Sequence, residues 1–323
     1  MPDGGALEAG PARPSLRARL LSTYIRRAIK PRSRHGFDVV WARRFLEKPV
    51  VRTRITNRIV VEPIRIGTIG GEAVQPRRLN GTRRTVLYLH GGGYYFGSSL
   101  GYRAITFALA EAACARVVAV DYRRAPEHPF PAALEDATAA ARGLYASGVS
   151  PHDLVVCGDS AGGGLALSVL TRLRDGGEPL PACAVLFSPW TDLAATGESL
   201  RRNGSRDPLF HTDCIAQDAR HYLAGADPRN PDVSPLYADL AGLPPLLIQV
   251  SRTEVLLDDS LRLARKARLS GVEARCEIWT DLPHVWHLQH GLLPEARAAI
   301  DEAAAFILDR TAKRDGARKS PGV

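Results

Sequence analysis

An α/β architecture with a mostly parallel sheet is predicted by three observations on this 323-residue chain. Short apolar runs recur at 85–89, 117–120, 154–157 and 182–187. Stretches of helical periodicity lie between them, at 102–113, 132–147 and 162–174. The runs are apolar throughout rather than alternating, as strands buried on both faces must be. Strands joined by helices of this length are parallel, and the crossovers place helices over both faces. The length suits one large domain of this class or two small ones. Hydrophobic residues at 45% and charged residues at 24% are ordinary for a globular protein.

The elements follow in order. Residues 1–14, rich in Gly, Pro and Ala, are expected to be disordered. Residues 15–48 read as two helices. In the first, Leu16, Leu20, Tyr24 and Ala28 fall at four-residue spacing with Leu21 and Ile25 beside them. A basic amphipathic helix can lie on a membrane surface; the reading adopted is that its apolar face packs on the same protein. From residue 58 the pattern changes. Residues 60–66 suggest a first strand, Gly70-Gly71 a turn, and residues 72–75 a second strand. After the four runs above, strands are expected at 246–250 and 274–279. A helix at 258–270 separates them and another closes the chain at 294–311. That makes eight strands. The segment 190–243 breaks the alternation: it holds Pro208, Pro228, Pro231 and Pro235, with helical patterning only near 212–224. An insertion of this size between sheet strands reads as a lid or specificity element. The expected organisation is a disordered start with cap helices at 1–57, a main domain at 58–315 carrying the cap insertion, and a tail at 316–323.

Bulk properties exclude several classes. No apolar run approaches the roughly 18 residues that span a bilayer, so stable membrane insertion is not expected. The N-terminus lacks a signal-peptide core, because Leu20-Leu21 and Ile25 are followed by Arg26-Arg27. Five cysteines (114, 157, 183, 214 and 276) show no C-x-x-C spacing, which suits reduced core thiols and a cytoplasmic location. The net charge of +9 is local: residues 1–60 hold 14 Lys/Arg against 4 Asp/Glu, leaving the remaining 263 residues at −1. With no basic stripe interleaved with aromatics, nucleic acid is not an expected partner.

The chemistry centres on Gly158-Asp159-Ser160-Ala161-Gly162. This G-x-S-x-G lies between a strand and a helix, so its serine sits on a sharp turn with the hydroxyl pushed out above the sheet. The helix behind it directs partial positive charge at any oxyanion formed there. Alone, such a pentapeptide recurs by chance as an inert turn. Three further features give it a setting. His90-Gly91-Gly92-Gly93 follows the strand 85–89, and glycines let backbone N–H groups approach an oxyanion closely. No G-x-x-x-x-G-K-[ST] pattern supports a phosphate loop instead. After the strand 246–250 come Glu254, Asp258 and Asp259. Glu254 is nearest the strand end, whereas Asp258 and Asp259 suit the first turn of the next helix. After the strand 274–279 comes His284, with His287 and His290 beyond it. The nearby acids do not complete a metal-ligand pattern with these histidines, and no metal is expected. The order Ser160, acid, His284 is the one found in α/β-hydrolases, and a parallel sheet gathers such strand ends at one edge.

These motifs resemble the hormone-sensitive lipase family of α/β-hydrolases, in its bacterial esterase branch. The resemblance runs from about residue 58 to 311. It is carried by His90–Tyr94, by Asp121-Tyr122-Arg123-Arg124-Ala125-Pro126-Glu127-His128-Pro129-Phe130-Pro131-Ala132, and by Gly158–Gly164. Glu254-Val255-Leu256-Leu257-Asp258 matches the family's acid motif and places the acid at Glu254, where many members carry Asp. The resemblance implies an eight-stranded α/β-hydrolase fold with a helical cap from 15–48 and 190–243. It implies oxyanion donors from the glycine run Gly91, Gly92 and Gly93 and from Ala161. It also implies that the charges of 121–132 pair beneath the site, and that copies associate as a homodimer through the strand 274–279. The function implied is hydrolysis of short-chain carboxylic esters, acetyl esters of small molecules foremost, without a cofactor. Lactone or N-acetyl hydrolysis would use the same residues. A non-catalytic receptor of this fold would lack the histidine that His284 supplies. Tyr94, Trp190, Leu209, Tyr222 and Trp286 are expected in the pocket wall.

Overall fold

The computed structural model describes residues 6–47, 57–79 and 83–312; the tail expected at 316–323 lies outside them. The elements in order are β1 (Ala6–Ala9), α1 (Leu16–Ala28), α2 (Val39–Phe45), β2 (Ile59–Ile66), β3 (Ile69–Pro76), β4 (Thr85–Leu89), α3 (Arg103–Ala112) and β5 (Arg116–Asp121). Then come α4 (Ala132–Ala146), β6 (Leu154–Asp159), α5 (Ala161–Asp175), β7 (Cys183–Phe187), α6 (Ser199–Arg202), α7 (Cys214–Leu223), β8 (Leu246–Ser251), α8 (Leu257–Leu269), β9 (Ala274–Trp279) and α9 (Pro294–Ala312). All eight expected strands are present, in the order β9-β8-β7-β6-β4-β5-β3-β2. Only β2–β3 and β3–β5 pair antiparallel. This is the α/β-hydrolase fold.

The strand residues alternate between two cores. Leu87, Val118, Val156, Ala184 and Ile248 face one side, against α4, α5 and the insertion. Val86, Val117, Val155, Val185 and Leu247 face the other, against Ile105 and Leu109 of α3 and Ile300 and Ile307 of α9. Fully burying each such aliphatic side chain is worth about 1.5–3 kcal/mol. Topology then positions the site. After β4 the chain crosses to β5; the next crossover brings β6 to β4's other side, Leu89 beside Gly158. Helices α3 and α5 depart to opposite faces, so the C-terminal ends of β4 and β6 bound a crevice at the switch point.

Two features depart from the sequence reading. Residues 6–9, expected to be disordered, form a ninth strand pairing in parallel with β9, Ala6 opposite Cys276 to Ala9 opposite Trp279. The backbone of β9 offers an unpaired row of donors and acceptors that β1 takes up. The outer edge expected to hold a second copy is therefore occupied by this chain's own start. Farther along, Thr280 Oγ1 donates to the Pro11 carbonyl at 2.9 Å, and Ser15 N donates to Glu295 Oε1 at 2.5 Å. The second departure is in α1. Ala18 is buried and Leu21 and Ile25 are half-buried, whereas Leu16, Leu20 and Tyr24 point to solvent. The helix has two apolar stripes, and the inner one belongs to the smaller side chains.

The N-terminal helices and the insertion are bonded into one cap. Lys30 Nζ, itself buried, donates to the carbonyls of Gly204 and Asp207 at 2.6 Å each. Asp218 of α7 accepts from Phe37 N at 2.9 Å. Asp259, at the start of α8, accepts from Thr191 N and Asp192 N and ties the insertion's first residues to that helix. None of the five cysteines forms a disulfide, and four are buried. Among the described residues, no helix is long and apolar enough to cross a membrane.

Candidate active site

Ser160 follows β6 directly and sits at φ 51° and ψ −122°, a conformation costly for any residue with a Cβ. It is held by its neighbours: Ser160 N donates to Phe187 O at 2.8 Å, and Trp190 N donates to Ser160 O at 2.9 Å. The turn also needs Gly162, where a Cβ would lie 2.0 Å from the Leu89 carbonyl oxygen. The side chain lines a cavity of about 170 Å³ together with Gly92, Gly93 and His284.

His284 is reached from β9 and Glu254 from β8. His284 Nδ1 donates to Glu254 Oε2 at 2.5 Å. The other carboxylate oxygen accepts from Ser188 Oγ at 2.8 Å and from Ser251 N at 2.7 Å. Glu254 is wholly buried and fixed at every lone pair that matters, so it holds the imidazole in one orientation. His284 Nε2 is buried and has no hydrogen-bond partner among the described residues. Burial works against a charge on this imidazole, but the Glu254 carboxylate outweighs it and raises the pKa above 6.5. The Phe210 ring stands edge-on to the imidazole, centroids 5.0 Å apart. The two other acids serve the cap. Asp258 accepts from Ser199 N at 2.8 Å and pairs with Arg202, and Asp259 is engaged as described above.

The glycine run divides. Gly91 N donates to Asp159 Oδ1 at 2.9 Å, so its N–H is not available to an oxyanion, contrary to the expectation for it. That same oxygen accepts from Tyr88 Oη at 2.7 Å. Asp159 is buried, which raises its carboxyl to about 6 although both bonds favour the ionised form. Gly92 and Gly93 have left-handed backbones, with φ 105° and 59°, and their N–H groups meet no acceptor among the described residues. Ala161 N, in the first turn of α5, is likewise without one. His90 does not join the chemistry. Its ring stacks on Tyr122 at 4.3 Å, its Nδ1 donates to Gly91 O, and burial lowers its pKa to about 4. Three of the charges of 121–132 are paired, Arg123 with Asp136, Arg124 with Glu47 and Glu127 with Arg43, but the Arg123 and Glu127 side chains are about half exposed.

Of the five expected wall residues, Trp190 and Leu209 line the cavity. The other three do not. Tyr94 stacks face to face on Tyr222 at 3.8 Å, and both rings are buried. Trp286 packs against Trp279 and the His287 ring. The wall is made instead by Ile25, Ile29 and Phe37 of the N-terminal region, Tyr95 and Phe96 beyond the glycines, and Phe210 and Ile215 of the insertion. His287 faces away, its Nε2 bonded to Gln249 Oε1 at 2.9 Å.

Comparison with known proteins agrees with this fold. The model of an alpha/beta hydrolase fold family matches residues 86–288. An acetyl-hydrolase of Streptomyces hygroscopicus is 49% identical over 253 residues, which cover 78% of this chain and 83% of the relative. An esterase of Acinetobacter venetianus is 35% identical over 249 residues, 77% of this chain and 82% of its own. The crystal structure of an esterase from the bacterial hormone-sensitive lipase family superposes with a TM-score of 0.87 at 41% identity, covering 93% of this chain and 99% of that one. The chain thus belongs to the hormone-sensitive lipase family of α/β-hydrolases and is a carboxylic ester hydrolase.

Proposed function

We propose that the chain hydrolyses short-chain esters, acetyl esters of small molecules foremost, through Ser160, His284 and Glu254 and an acyl-enzyme. The observation that carries this reading is the Glu254–His284 hydrogen bond, which leaves Nε2 as a bare base in the cavity that Ser160 lines. In the first step Nε2 takes the Ser160 proton as Oγ attacks the ester carbonyl carbon. The carbonyl oxygen becomes an oxyanion facing the N–H groups of Gly92, Gly93 and Ala161. The carbon–alkoxy bond breaks, and the alcohol leaves with the proton from Nε2. Water then attacks the acyl carbon and yields a proton to Nε2, which passes it to Ser160 Oγ as the acyl–Oγ bond breaks and the acid leaves. The cavity supports a small substrate: about 170 Å³ is well below the roughly 300–1,000 Å³ of pockets for drug-sized ligands. The acetyl preference is supported by the Streptomyces relative, itself named an acetyl-hydrolase.

A series of p-nitrophenyl esters tests the reading. Turnover should be highest for acetate to butyrate and fall steeply for longer chains, and Ser160→Ala should abolish it with the fold intact. A maximum at octanoate or beyond would overturn the short-chain assignment, and turnover retained in Ser160→Ala would overturn the nucleophile.

A further inference from the structure

Among the described residues, the outward stripe of α1 has no partner. Leu16, Leu20 and Tyr24 recur at four-residue spacing and are 68%, 63% and 61% exposed. Arg27, three residues beyond Tyr24, continues the same face, and Arg17 and Arg19 flank it. Residues 9–37 contain eight Lys/Arg and no Asp or Glu. Several of these cations are spent inside the protein. Lys30 and Arg26 bond carbonyls of the insertion, and Arg17 reaches the Leu292 carbonyl. Arg13, Arg19, Arg27 and Arg34 remain exposed. The inner face of the same segment, through Ile25 and Ile29, walls the cavity holding Ser160.

We propose that this face docks the protein on an anionic lipid surface. A helix that presents leucines and a tyrosine between arginines fits the boundary between headgroups and acyl chains. A segment that carries eight basic residues and no carboxylate complements a negatively charged leaflet rather than a protein patch of mixed charge. The docking is adsorption without a spanning helix. It sets the wall of the catalytic cavity against the bilayer, where esters that partition from water are concentrated.

The test is co-sedimentation of the full-length protein with vesicles of phosphatidylcholine, alone or with about 30 mol% phosphatidylglycerol, at low and high salt. The expected result is binding to the anionic vesicles, little to the neutral ones, and release by salt. Leu20→Ser with Tyr24→Ser should weaken binding at least tenfold. Arg19→Gln with Arg27→Gln should weaken it by roughly fivefold per arginine. Removing two exposed arginines elsewhere, Arg65→Gln on β2 at the opposite sheet edge with Arg229→Gln, should change it less than twofold. All these positions are exposed and none lines the cavity, so p-nitrophenyl acetate turnover in solution should be unchanged. The proposal is overturned if anionic vesicles do not bind at low salt, or if both α1 variants bind as the parent does. It is also overturned if the distant arginines matter equally, which would reduce the effect to net charge. A dimer dissolved by the Leu20 and Tyr24 changes, without vesicle binding, would assign the face to a second copy instead.

Discussion

Glu254→Gln separates the role of the acid from its shape. The two side chains are nearly isosteric, but the amide has one acceptor oxygen where the carboxylate has two. In the structure Oε2 meets the donor Nδ1–H of His284, and Oε1 meets the Ser251 backbone N–H and the Ser188 hydroxyl. A glutamine NH₂ must face one of these two sides. The Ser251 N–H is fixed in the backbone and cannot become an acceptor, whereas the imidazole can exchange its proton between nitrogens. The NH₂ therefore settles against Nδ1, and the imidazole proton moves to Nε2, the atom that must take the proton from Ser160. A tautomer trapped in this way costs about 10⁴ in kcat in serine proteases, or about 5 kcal/mol of transition-state stabilisation. Asp258→Asn keeps an oxygen to accept from Ser199 N, and the Asp258 side chain bonds Ser199 and Arg202 rather than His284, so the change should cost less than about threefold in activity. The assay is kcat/KM for p-nitrophenyl acetate from pH 6 to 9, with thermal melts to verify folding. The parent's activity should rise with pH through a value above 6.5, because protonated His284 cannot act as a base and Glu254 raises its pKa. A loss under tenfold in Glu254→Gln, or an equal loss in Asp258→Asn, would refute the assignment of the acid.

Two further substitutions address the oxyanion side. Gly92→Ala would place a Cβ 2.1 Å from the Phe96 carbonyl oxygen at a φ of 105°, so kcat should fall about 10²-fold or more with a lowered melting temperature; near-parental kcat would show that this N–H is not used. Asp159→Ala removes the acceptor of Gly91 N and Tyr88 Oη and should lower kcat more than KM, whereas Asp159→Asn keeps an acceptor oxygen and should be milder. Asp159 also predicts a pH effect on stability. Its folded pKa is raised from 3.8 to about 6, so the folded protein holds this proton more tightly than the unfolded chain. Its contribution to stability therefore falls as pH rises across that interval, and Asp159→Asn should flatten that part of a melting-temperature profile.

The central strands were legible because each is a short apolar run; 85–89 matches its observed limits, and so does 274–279 although Arg275 and Glu277 interrupt it. Ser160, Glu254 and His284 were singled out because each follows such a run, and the parallel sheet brings those ends to one edge. The cavity wall was less legible. Tyr94 and Tyr95 are adjacent, and the positive φ of 67° at Tyr94 decides which ring turns inward. Nothing in the spacing of three consecutive glycines says that Asp159 takes up the N–H of the first. In α1 the periodicity marks two apolar stripes, and only the packed structure tells which one is dry. The strand at 6–9 has no local signal, since its hydrogen bonds all go to residues some 270 positions away.

That strand makes the start of the chain part of the sheet's boundary. A backbone with its own N-terminus in place presents other copies with a closed edge along β9. A chain shortened to begin at α1 would leave β9 open along Cys276–Trp279 and uncover the Trp279 ring, which Gly10 approaches closely. Self-association through β9 and the folding-back of residues 6–9 then compete for one row of peptide groups. Where a tag or a cleavage site is placed at this end thus decides which of the two wins.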